Sequence, residues 1–109
     1  KVETKLEVTG DLVDKAAYQT ALDGVQAAVV ACWTKTVEAD PKLGDGYLTY
    51  TFVFNTDGTK ASWASAGSFG GNGNFKPFEE CVKPLVEPIP AAAVGGKPSV
   101  VITYHAMQY

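Results

Sequence analysis

A chain of 109 residues, 46% hydrophobic and 19% charged, has the material for one buried core and not for two, so residues 1–109 are expected to form a single domain. Its formal net charge of -3, with no cluster among its nine lysines and arginines, excludes the basic patch that nucleic acid requires and disfavours an anionic membrane surface. No run approaches the roughly 20 apolar residues that span a bilayer, and no signal peptide is visible; beginning at Lys1 without a methionine, the chain is expected to be a fragment of a longer protein.

Val2, Thr4, Leu6 and Val8 alternate with Lys1, Glu3, Lys5 and Glu7. A period of two with one apolar and one charged face predicts a half-buried antiparallel strand. Gly10 and Asp11 end it. Asp14 is a good N-cap for the next segment, in which Tyr18, Leu22, Val25, Val29 and Cys32 follow at steps of four and three. That spacing predicts a long amphipathic helix to about Lys35, with Gly24 as its weak interior position.

Pro41, Gly44 and Gly46 stop the helix in the segment Ala39–Tyr47. Tyr47 to Asn55, dense in aromatic and β-branched residues, predicts a strand with Leu48, Tyr50, Phe52 and Phe54 on one face. Asn55 to Gly58 supplies hairpin turn residues, and Thr59 to Ser65 is expected to return beside that strand. The stretch Ala66–Asn74, AGSFGGNGN, reads as a flexible loop. Phe78, Cys81, Val82 and Leu85 keep helical spacing, predicting a short helix that starts between Asn74 and Pro77 and stops at Pro84. The connector Val86–Pro98 is too rich in proline and glycine for regular structure, and Ser99–Tyr109 is a final strand. The order β-α-β-β-α-β predicts an α+β two-layer sandwich, with two helices on one face of an antiparallel sheet of three to four strands.

The two cysteines, Cys32 and Cys81, fall on the two predicted helices and lack metal-ligand spacing. A disulfide is preferred over two buried free thiols, and it would place the domain in an oxidising compartment.

No catalytic constellation is assembled by sequence, and no cofactor or metal is expected. His105 lacks a placed serine or cysteine and an orienting acid, and Ser62, Ser65 and Ser68 lack a nucleophile-elbow context. Glu79 and Glu80 are adjacent on a helix and point about 100° apart, which suits the helix dipole better than paired acid-base work. The NTDG turn lacks the closing glutamate of a calcium loop, and GSFGGNGNF lacks the lysine and serine of a phosphate cradle. Phe69 and Phe75 are candidate apolar anchors of a recognition loop. Trp33 and Trp63 are read as core residues, and an exposed one would become a binding hot spot. The last strand is a plausible sheet edge, which would make Val101, Thr103 and His105 contacts for an added partner strand; the other reading places it inside the sheet. A second functional class is a small-ligand or glycan site built on clustered exposed aromatics.

Cys32, followed by Pro41, Leu43 and Gly46, then Leu48–Phe54, the Asp57-Gly58 turn, Phe78, Cys81-Val82, Pro88-Ile89-Pro90, Gly95-Gly96 and a terminal strand, resembles the AgmX/PglI C-terminal domain family. Such domains look like distant relatives of the TonB C-terminal domain. The resemblance implies a TonB C-terminal-like fold in a periplasmic or cell-envelope protein, tethered through an upstream segment, within a transport or gliding-motility machinery. It implies binding to another envelope protein and brings no catalytic residues.

Overall fold

The computed structural model describes residues 2–10, 15–55, 57, 59–71, 73–89 and 98–107. They form β1 (Val2–Thr9), α1 (Lys15–Ala39), β2 (Leu43–Phe54), β3 (Lys60–Gly71), α2 (Lys76–Val86) and β4 (Ser99–Ala106). The expected α+β order, β-α-β-β-α-β, is the one observed. Asp14 and the centre of the proline-rich connector lie outside the described residues.

The four strands make one antiparallel sheet in the order β1-β4-β2-β3. Leu48, Tyr50, Phe52 and Phe54 of β2 and Val100, Ile102, Tyr104 and Ala106 of β4 are all fully buried on one face. Both helices cover that face. Gln26 of α1 donates its side-chain N–H to the Val2 carbonyl and meets the Thr4 hydroxyl, so α1 lies over β1. The Tyr50 hydroxyl donates to the Glu79 carbonyl, so α2 lies over β2. Cys32 and Cys81 are joined by a disulfide with their Cα atoms 5.8 Å apart, which ties the helices to each other.

Three local expectations need correction. The first concerns α1, which runs past Lys35 to Ala39, because Thr36 turns inward and donates its hydroxyl to the Cys32 carbonyl at 2.8 Å. Pro41 then ends the helix, since the residue before a proline is driven out of the helical region. In α2 the helix continues past Pro84 to Val86. Proline removes one hydrogen bond there, only one turn from the end, while Val86 and Ile89 remain buried beyond it.

The larger correction is the glycine-rich stretch. Residues 66–71 are not a loop but the second half of β3, paired with a β2 that begins at Leu43. The glycines serve close approach. A Cβ on Gly46 would lie 2.3 Å from the Ser68 carbonyl oxygen and 2.6 Å from the Phe69 ring, and one on Gly67 would lie 2.3 Å from the Phe75 ring. Each glycine is roofed by an aromatic ring from a neighbouring element, which a side chain of its own would displace.

Candidate interaction surface

β4 is not an edge. It pairs with β1 from Val2↔Ala106 to Thr9↔Ser99 and with β2 from Gly46↔Ala106 to Val53↔Ser99, so its backbone groups are engaged on both sides. Val101, Thr103 and His105 therefore cannot accept an added strand. They lie half-buried on the open face of the sheet, opposite the helices. His105 stacks on Tyr47 with ring centroids 4.3 Å apart, and its Nδ1 is 3.9 Å from Glu3 Oε1.

The two recognition-loop candidates also move. Phe69 faces the helices from β3, half-buried between Trp33 at 5.6 Å and Phe75 at 5.1 Å. It closes one end of the core rather than projecting as an anchor. Phe75, half-buried, caps Gly67 at the entrance to α2.

Among the described residues, the edges are β1 and β3. On β1, Glu3, Lys5 and Glu7 occupy the open face, with Lys5 and Glu7 ion-paired at 3.1 Å. Charged side chains along an edge discourage a further strand. From Ala61 to Gly71, β3 carries no charge and no proline. Its register with β2 is regular from Gly46↔Phe69 to Val53↔Ser62, with irregularities only beyond those ends. A straight, uncharged edge offers alternate N–H and C=O groups to an incoming chain.

Directly opposed residues share a face, so Phe52↔Trp63, Tyr50↔Ser65, Leu48↔Gly67 and Gly46↔Phe69 put Trp63, Ser65, Gly67 and Phe69 on the helix side of β3. Ser62, Ala64, Ala66 and Ser68 occupy the open side. The two tryptophans differ sharply in exposure. Trp33 is 2% exposed and donates its indole N–H to the Met107 carbonyl at 3.0 Å, whereas Trp63 is 46% exposed with Lys83 Nζ 4.0 Å from its ring centre. Tyr47, the other exposed large apolar residue among the described ones, is on the opposite face, so the two do not form the aromatic cluster a sugar platform needs.

No triad or metal centre is assembled on the described surface. Ser68 shares a row with His105 but is separated from it by Tyr47, and Ser62 and Ser65 are further along β3. No group of three or more His, Cys, Asp and Glu converges among the described residues. Asp57 has its carboxyl held below the usual range by the Thr59 hydroxyl and backbone N–H, an interaction that closes the β2–β3 turn. A cleft of about 280 Å³ beside the disulfide is lined by Cys32, Lys35, Thr36, Ala39, Pro77 and Cys81. Among the described residues no helix is long and apolar enough to cross a membrane.

These features define a disulfide-stapled α+β domain whose sheet, among the described residues, has one charged edge and one edge uncharged from Ala61 to Gly71. No family model, curated protein or solved structure matches the chain. Sequence reasoning missed β3 as the open edge because TKASWAS lacks alternation. The usable signal was the run without charge or proline that follows Lys60.

Proposed function

We propose that this domain is a non-catalytic protein-interaction module of the bacterial periplasm or cell envelope, which binds a partner protein by adding an extended segment of it to the β3 edge. The observation that carries this reading is the contrast between a β3 that is uncharged from Ala61 to Gly71 and regularly paired, and a β1 whose exposed side chains are charged. The disulfide supports an oxidising compartment. The resemblance to AgmX/PglI and TonB C-terminal domains supports a role within a transport or gliding-motility machinery.

The test is an amide NMR titration of the chain with extended synthetic peptides of alternating threonine and valine. Shifts are expected along Ala61–Gly71 and should vanish when alternate peptide nitrogens are methylated, because methylation removes the donors that a ladder requires. Shifts confined to α1 and α2 would reject strand addition.

A further inference from the structure

The β3 edge has two aromatic shelves on its helix side. Trp63 is one, nearly half exposed although Lys83 covers part of its ring. Phe75 is the other: its ring lies over Gly67, close enough that a Cβ there would meet three of its atoms within 2.8 Å, and Lys76 Nζ stands 5.9 Å from its centre. Between them, on the same side, is only the small Ser65.

An added strand places the side chains of alternate residues on the helix side, directly beside those of β3. The residue opposite Trp63 meets an exposed indole. The residue opposite Gly67 meets no side chain from β3 and reaches the flank of Phe75. The one between them sits beside a serine. On the open side Ser62, Ala64, Ala66 and Ser68 are too small to select for size.

Resting on the strand-addition reading, we infer that β3 selects an extended partner segment with two large apolar side chains at positions i and i+4, seated on Trp63 and on the Gly67–Phe75 shelf. The spacing follows from the strand itself: the shelves are four residues apart, about 14 Å at a rise near 3.4 Å. It is the same for a parallel or an antiparallel guest. A shift by one residue would turn both anchors to the open side, where β3 itself presents only Ser62, Ala64, Ala66 and Ser68. The pair of shelves therefore fixes the register of a ladder whose backbone bonds alone would allow slippage.

The test uses three synthetic decapeptides with a threonine and lysine background, carrying phenylalanine at i and i+4, at i and i+3, or nowhere. Amide titration of the whole chain should show the i,i+4 peptide binding about tenfold more tightly than the others, with the largest shifts at Trp63 and Gly67. Trp63→Ala should erase that advantage and Trp63→Phe should restore most of it, which separates loss of the shelf from loss of the fold. Equal binding of all three peptides along β3 would overturn the spacing rule while leaving strand addition standing. Shifts confined to β1 or to the helices, with none along Ala61–Gly71, would overturn both. Sedimentation showing that the chain occupies its own β3 edge as a dimer at titration concentrations would also overturn the inference.

Discussion

The β1 edge presents Glu3, Lys5 and Glu7 to solvent, whereas the β3 edge runs from Ala61 to Gly71 without a charge. Both strands belong to one sheet and each pairs on one side among the described residues, yet β1 carries charges along its length while β3 carries one only at its first residue, Lys60. The difference extends into the helix layer. Beside β1, α1 contributes Gln26 and binds backbone; beside β3, α2 contributes Lys83, and Phe75 stands just before it, both next to exposed or half-buried apolar surface. Among the described residues, charges line one edge and are absent from most of the other.

The largest expected effect comes from cutting α2 loose. The disulfide closes a separation of 49 residues, and the chain-entropy estimate for such a loop is about 4 kcal/mol. Cys32→Ala with Cys81→Ala should lower the urea-unfolding free energy by about that amount. Amide exchange should rise in α2 more than in α1, because α2 is shorter and interrupted by Pro84. A loss below about 1 kcal/mol would mean that the core burial of Phe78, Val82 and Val86 holds α2 without the staple.

Transferring the guard from β1 to β3 gives the next effect. Ala64→Lys and Ala66→Lys place charges on the exposed open side of β3, where stability should change by no more than about 0.5 kcal/mol. Peptide affinity at the edge should fall about tenfold, read by the same amide titration. Unchanged affinity would mean that the absence of charge is incidental.

The legible parts of this chain are those with a strong period. Alternation marked β1 and the buried faces of β2 and β4, and the steps of four and three marked α1 and brought Cys32 to the side facing α2. Alternation reveals which residues share a face but not which strand lies alongside, so Val101, Thr103 and His105 looked equally suited to an edge and to the interior they occupy. The open edge was hidden for a related reason. Both sides of β3 are partly wet, so it has no apolar stripe, and Gly67 and Gly70 resemble loop residues until Phe75 is seen lying over the first of them.

A smaller effect separates the buried tyrosines of the two halves. Under α2 the Tyr50 hydroxyl has the Glu79 carbonyl as its acceptor, while the hydroxyls of Tyr18 and Tyr104 find no partner among the described residues. Tyr50→Phe should cost about 1 kcal/mol, and Tyr18→Phe or Tyr104→Phe should be neutral or stabilising by a similar amount, because each removes a desolvated hydroxyl. Destabilisation by the last two would instead indicate a bridging water. Burial pushes the Tyr18 phenol up to about 12 and raises Tyr50 and Tyr104 as well, the Tyr50 shift being reinforced by Glu79. A pKa raised on folding contributes stability that is present below the ordinary value near 10 and is lost as pH rises through the folded one. Unfolding free energy should therefore fall between about pH 10 and pH 12, less steeply in Tyr18→Phe.

The smallest expected change in stability tests the guard on β1 directly. Lys5 and Glu7 form an ion pair whose side chains are 72% and 61% exposed, so Lys5→Thr with Glu7→Thr should alter unfolding by less than about 0.5 kcal/mol. The effect on assembly should be much larger. A chain with one open edge can pair with at most one other copy, and that contact closes on itself. With two open edges, β1 of one copy can pair with β3 of the next, and such a head-to-tail contact has no reason to close. Sedimentation velocity should then show species larger than a dimer that grow with concentration in the double variant and are absent from the parent chain. Identical sedimentation of the two would mean that the charges of β1 do not guard it, and the contrast between the edges would have to rest on β3 alone.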